Sequence, residues 1–357
     1  MLFIWLVVLL IIVWIIVIYL SLDETNNKKN NSNNINYKDT DFFNQLSNLD
    51  IKQEKILELK KEFSKYIVWS ENLINSIIVA ILADWHILVE WVPWLAKTKT
   101  ILVLSKLLWL DFQRIQFTPD MLPADLIGWE IYNKNTGKFE TFKWPIFTNL
   151  LLADEINRTT PKVQSWLLEA MQERQITIWK ETFDLPSPFF VMATQNPIEQ
   201  EWTFPLPEAQ LDRFLFKVKV DYPSFDEEKQ ILDKFDVNTD NINPIISKQD
   251  IFSMQKEVEN IKVDENVKEY IINLVESTRK EEENISIWSS TRWIIYLKQA
   301  AMSVAYLQWK DNVDIQDVKK VVLWTLRHRV VLSYAWLSKN LYIDKFLIEK
   351  FIYVGDY

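Results

Sequence analysis

The stretch that decides the fold is Glu90-Trp91-Val92-Pro93-Trp94-Leu95-Ala96-Lys97-Thr98. A short apolar run, HILVE at 86–90, leads into it, and KTKTILVLSKLL, a helical run, leaves it. Strand, tight loop, Lys-Thr and helix are the context of a phosphate-binding loop. In such a loop the lysine reaches the β/γ-phosphates and the threonine hydroxyl holds Mg²⁺. The helix N-terminus adds its dipole and its free N–H groups. Two positions break the pattern. Glycine lets the main chain approach phosphates in conformations closed to residues with a Cβ, yet Trp91 and Trp94 stand where glycine is expected.

Further along, residues 150–155 read LLLADE. An apolar run ending in two acids is a buried strand that delivers carboxylates at its C-terminal edge, where ligands bind in open α/β sheets. Asp154 is placed to hold Mg²⁺ through water and Glu155 to polarise an attacking water. A strand that merely ends in solvated acids is the plain alternative for this motif alone. The order of the two motifs, on these elements, argues against it.

The surroundings agree. Helix ENLINSIIVAILA (71–83), strands at 112–117, 149–154, 189–194 and 214–220, and helix PKVQSWLLEAM (161–171) alternate along the chain. Short apolar strands alternating with helices predict a parallel sheet covered on both faces. After Pro223 the segments 224–236, 264–280, 291–307 and 314–327 read as helices with no convincing strands. The expected division is an α/β nucleotide-binding domain over 49–222 and an all-helical lid domain over 223–357. Apolar spacing over 51–67 predicts one more helix.

Residues 2–20 are nineteen uncharged, nearly all apolar positions, enough to span a hydrocarbon core of about 30 Å. No basic segment precedes them and no small-residue cleavage site follows, so they read as a retained transmembrane anchor (1–21) rather than a signal peptide. Lys28 and Lys29 follow the span, which favours a cytoplasmic C-terminal side. Residues 22–48 begin with an Asn-rich polar tract that reads as a linker.

Composition sets limits. The 357 residues carry a net charge of −9, with 48% hydrophobic and 25% charged residues. That balance argues against a nucleic-acid partner bound by phosphate neutralisation. With no cysteine and two histidines, disulfides, thiol chemistry and a Cys- or His-rich zinc site are excluded. His86 reads as a packed strand-edge residue and His328 as structural. Glycine occurs 3 times and tryptophan 17 times, where usage of about 7% would give about 25 glycines.

Residues 69–336 resemble the MoxR family of AAA+ ATPases. The resemblance rests on FQRIQFTPDMLPADLIG (112–128), LLLADEINR (150–158), LLEAMQERQ (167–175), ATQNPIEQE (193–201), PLPEAQLDRFLF (205–216) and LRHRVVLSYA (326–335). It implies the fold of an AAA+ P-loop NTPase: a parallel sheet flanked by helices, then a helical lid. It also addresses the composition. Trp69, Trp85, Trp91, Trp94, Trp109, Trp144, Trp179, Trp202, Trp288 and Trp309 fall where such proteins carry glycine. The expectation is that many tryptophans are UGA codons read with a generic table, in a lineage that reads UGA as glycine. Independently, Ile178-Trp179-Lys180 is a hairpin turn, where glycine is favoured. Trp166 and Trp324 lie on predicted helices and suit a core.

By resemblance, the loop residues Trp91, Val92, Pro93, Trp94, Leu95, Ala96, Lys97 and Thr98 bind ATP, and Thr98 and Asp154 hold Mg²⁺. Glu155 is the catalytic carboxylate. Asn196 orients the attacking water, although an Asn before Pro197 also suits a plain turn. Arg213 is the finger that reaches a neighbour's ATP, with a surface ion pair as the alternative, and Arg292 is a second sensor on the lid. The insertion 119–148, with its turn at Asn135-Thr136-Gly137, and residues 175–185 read as hairpins facing a pore or client, or merely solvent. The family implies a homo-oligomeric ring, a hexamer, and a client with a von Willebrand factor A-like domain. Two rivals remain: a non-hydrolysing scaffold if Trp91 and Trp94 are genuine, and another AAA+ motor such as a metal-chelatase subunit.

Overall fold

The computed structural model describes residues 49–68, 71–91, 97–133, 138–143, 145–179, 181–196, 203–220, 222–234, 237–280, 285–287, 291–332 and 343–347. All belong to one unit, Ser47–Tyr357. The N-terminal half runs α1 (Glu54–Tyr66), α2 (Glu71–Leu82), β1 (Ile87–Trp91), α3 (Lys97–Leu107), β2 (Phe112–Gln116), α4 (Pro123–Ile127), β3 (Gly128–Asn133), β4 (Lys138–Lys143) and β5 (Leu150–Asp154). It continues through α5 (Pro161–Glu173), β6 (Gln175–Ile178), β7 (Glu181–Asp184), β8 (Phe190–Gln195), α6 (Glu208–Leu211) and β9 (Phe216–Val220). Then come α7 (Phe225–Lys234), α8 (Lys248–Glu259), β10 (Lys262–Val263), α9 (Glu265–Lys280), β11 (Ile285–Ile287), α10 (Arg292–Leu307), β12 (Asn312–Val313), α11 (Ile315–Leu326), β13 (Val331–Leu332) and α12 (Ile343–Leu347).

Five strands form one parallel sheet in the order β2-β5-β8-β1-β9. The order follows from burial. All five residues of β5 are buried, as are five of six in β8, so these strands need cover on both faces. Leu88, Ile115, Leu151, Ala153, Val191 and Ala193 face Val163, Leu167 and Met171 of α5. Each of the Leu, Ile, Val and Met side chains contributes about 1.5–3 kcal/mol on burial. On the outer strand β2 only Ile115 is fully buried. The chain leaves β1 for the far edge at β2 and steps back through β5 and β8, so a switch point lies beside β1, at the C-terminal strand ends.

The second half departs from the all-helical expectation. Four strands of two or three residues pair as β10 with β12 and β11 with β13, too short to show a period of two. Helix α8 was also not anticipated. Its start is a capping box in which Ser247 and Asp250 satisfy each other's main-chain N–H. Arg327, His328 and Arg329 bond the main chain at the start of β9. Their partners are the carbonyls of Lys217 (3.2 Å), Phe214 (3.0 Å) and Leu215 (3.1 Å) respectively. Arg329 also donates to Asp212 at 2.9 Å. The expected hairpins form: β3 with β4, and β6 with β7. The turn at 135–137 lies outside the described residues.

Six described residues other than glycine have positive φ, and three are tryptophans: Trp109 (48°), Trp179 (55°) and Trp309 (60°). A bulky residue there is an outlier. Trp109 and Trp309 each follow a helix whose end is closed by a bond across five residues, Leu110 N–H to Ser105 and Lys310 N–H to Ala305. That is the motif in which glycine takes the left-handed position. Trp179 holds the β6–β7 turn. All three rings are exposed, at 67%, 79% and 63%. Trp324 is different: it is buried, edge-on to Phe216, with its indole N–H on Asn72 at 2.7 Å. Trp85 also packs, against Tyr296, and donates to Gln299 at 2.6 Å; the positive φ beside it belongs to Asp84. Trp69, Trp94, Trp144, Trp202 and Trp288 lie outside the described residues.

The N-terminal transmembrane helix of the expected fold is withdrawn. Among the described residues no helix is long and apolar enough to cross a membrane. The longest have 16 residues and rise about 24 Å, short of a core of about 30 Å. Residues 2–20 lie outside the described residues, so the membrane-anchored placement with a cytoplasmic ATPase domain goes with the helix that was to carry it.

Candidate active site

Parallel pairing brings the two motifs together. β5 and β1 flank β8, so Asp154, at the end of β5, lies across one strand from the β1–α3 connection. Lys97 opens α3, and its ammonium lies 3.9 Å from Asp154 Oδ1. Thr98 follows on the first turn of the same helix; Val92, Pro93, Trp94, Leu95 and Ala96 lie outside the described residues. Burial lowers the Lys97 pKa from its ordinary value, and Asp154 and Glu155 oppose that effect. Trp91 is fully buried, and the Lys97 ammonium lies 5.8 Å from the centre of its ring.

Asp154 is buried and surrounded by donors. Thr194 of β8 gives its hydroxyl to Oδ1 at 2.6 Å, and Arg114 of β2 approaches Oδ2 at 2.8 and 3.3 Å. Glu155 is the next residue, at φ 58° and ψ 49°. A carboxylate in the left-handed region costs of order 1–3 kcal/mol and persists where its surroundings impose it. Here the Glu155 N–H donates to Thr194 Oγ1 at 3.0 Å, Gln116 donates to Oε2 at 2.7 Å, and Arg158 lies 3.0 Å from the same oxygen. The backbone turn swings the second acid away from the first.

Residues 86–216 match the ATPase family associated with various cellular activities (AAA), and residues 278–341 match the AAA lid domain. YeaC of Bacillus subtilis (strain 168) is 44% identical over 274 residues, which are 76% of this chain and 85% of that protein. Chaperone MoxR1 of Mycobacterium tuberculosis (strain ATCC 25618 / H37Rv) is 42% identical over 288 residues, 78% of this chain and 76% of that protein. The chain belongs to the MoxR family of AAA+ ATPases. A crystal structure of a putative ATPase from Cytophaga hutchinsonii ATCC 33406 matches with a TM-score of 0.76 and 38% identity. The match covers 88% of this chain and 96% of that one.

Among the expected MoxR site residues, Lys97, Asp154 and Glu155 are brought together. Asn196 is buried one residue past β8, level with the end of β1 in the register that pairs Glu90 with Gln195. Arg213 and Arg292 sit elsewhere. Arg213 donates to the Leu168 carbonyl of α5 at 2.9 Å. Arg292 opens α10, 3.7 Å from Asp212, the carboxylate that also pairs with Arg329. Sequence reasoning missed Arg114, Gln116, Thr194 and Arg158. Arg114 and Gln116 had a signal: they alternate on one face of a strand whose neighbour ends in acids.

Mg²⁺ takes few protein ligands, one or two carboxylates besides substrate phosphate and water. A single buried acid beside a helix-opening Lys-Thr fits that demand. Among the described residues no group of three or more Asp, Glu, His or Cys is available for a metal. The misfit is Trp91, whose indole fills the space beside the Lys97 ammonium.

Proposed function

We propose that this chain hydrolyses ATP with Mg²⁺ and uses the cycle to remodel or mature client complexes. The observation that carries this reading is the approach of Lys97 and Asp154 at the switch point, with Glu155 turned out beside them. Lys97 and the start of α3 bind the phosphate tail, and Thr98 and Asp154 hold the cation. Bound Mg²⁺–ATP supplies the reactive γ-phosphoryl group and charge neutralisation. Glu155 takes the proton of an attacking water that Asn196 orients. Arg292 answers to the nucleotide from the lid. Arg213 acts on a neighbour's nucleotide, and this favours a ring, a hexamer by family precedent. The name of the relative Chaperone MoxR1 supports client remodelling, and the family suggests a client with a von Willebrand factor A-like domain. The domain limits stay at 49–222 and 223–357.

The reading includes glycine at Trp91 and Trp94 in the protein its own cells make. The left-handed Trp109, Trp179 and Trp309 support that recoding. A non-hydrolysing scaffold is the competing reading, favoured by the Trp91 ring on Lys97 if that ring is real. Two measurements decide. Peptide masses of native protein at positions 91 and 94 should be those of glycine; tryptophan there supports the scaffold. Native protein should turn over ATP, and Glu155→Gln should lower turnover by about 10²–10⁴-fold while keeping Mg²⁺–ATP binding. Equal turnover in the two would refute the role of Glu155.

A further inference from the structure

The two acids of the site are tied to one another through β2. Arg114 donates twice to Asp154 Oδ2, at 2.8 and 3.3 Å, and also to the Gln116 side-chain oxygen. The Gln116 amide then donates to Glu155 Oε2 at 2.7 Å. Register explains why: Gln116 lies beside Asp154, and Arg114, two residues earlier, shares its face. The Asp154 side chain is 7% exposed and that of Arg114 42%. The guanidinium therefore reaches a buried carboxylate from the open edge of the sheet, and can withdraw without leaving a buried charge of its own.

We propose that Arg114 is a positioning residue that stands in for the divalent cation at Asp154 and sets how much of that cation the site needs. The inference rests on the reading of Asp154 as the Mg²⁺ acid. A carboxylate oxygen that accepts two guanidinium N–H bonds is already neutralised, and a divalent cation must compete for it. Thr194 and Lys97 are on the other oxygen, so Oδ2 is where the competition falls. When Arg114 yields, Gln116 loses its donor and the strap on Glu155 slackens. Cation arrival at one acid thereby reaches the other.

The test compares the full chain with Arg114→Gln and Arg114→Lys at constant ionic strength. One arm follows thermal unfolding against MgCl₂ without nucleotide. The other follows binding of a fluorescent ADP as Mg²⁺ is titrated. Removing charge-assisted bonds from the competitor should lower the half-saturating Mg²⁺ of Arg114→Gln about tenfold or more. Arg114→Lys keeps the charge but not the paired donors, and should lower it about threefold. Should Arg114→Gln not fold, the lysine variant decides on its own. An unchanged or raised Mg²⁺ requirement overturns the proposal. If the parent chain binds no ADP at any Mg²⁺ concentration, the nucleotide reading fails, while the MgCl₂ arm still decides the role of Arg114: equal shifts in parent and variant refute it.

Discussion

Replacing Trp109, Trp179 and Trp309 together by glycine should stabilise a chain that carries tryptophan there. Each residue sits at positive φ between 48° and 60° with most of its ring in solvent. The left-handed conformation costs an L-residue roughly 1–2 kcal/mol, and glycine returns about 0.5–1 kcal/mol of that through its freer unfolded state. Rings this exposed lose little burial when removed. The net gain is about 0.5–1 kcal/mol per site. The positions lie in three separate turns, so the gains should add, to about 2 kcal/mol. At this chain length that corresponds to about 3 °C in midpoint. Two synthetic genes, one for each form, give the material, and urea and thermal unfolding give the readout. A midpoint that is unchanged or lower in the glycine form would show that the turns carry no strain, and the φ-based case for recoded glycine would go with it.

Glu155→Gln should lower ATP turnover by about 10²–10⁴-fold, the worth of a general base, with retained nucleotide binding as the control. Stability should fall on acidification, through His86 and His328. Burial holds both imidazoles well below their ordinary pKa, and Arg174 for His86 and Arg329 for His328 push the same way. The unfolded chain takes up these protons below about pH 6.5 while the folded chain does not, so stability is full above that pH and drops below it, by up to about 1.4 kcal/mol per pH unit for each histidine. Urea midpoints at pH 7.5 and 5.5 measure the loss, and His86→Gln should flatten the dependence. Asp314→Ala removes the side chain that accepts the Asp317 N–H at 2.9 Å at the start of α11, and should cost about 1 kcal/mol in a urea titration.

The sheet was legible because its strands are short apolar runs with acids, turns or helices between them, and LLLAD carries both burial and chemistry in five residues. Helix α8 was equally legible in principle, since Ile251, Met254 and Val258 recur at helical spacing behind Ser247. The two-residue strands were not, because no period fits in two residues. The left-handed turn at Glu155 has no sequence signal either: it is imposed by Thr194, from another strand. Arg114 stayed hidden for a related reason. Its role needs the register of β2 against β5, which a list of motifs does not contain. The apolar run at 2–20 shows the opposite hazard, since a strong compositional pattern suggested a spanning helix that none of the described helices supplies.

The three side chains from 327 to 329 that hold the start of β9 have a consequence for how the molecule comes apart. Among the described residues β9 is an outer strand, and an outer strand offers main-chain groups to any passing strand. Residues far along the chain occupy carbonyls there, so a polypeptide released by premature termination before residue 327 would present a sticky margin. Such truncated products should self-associate even with an intact nucleotide domain.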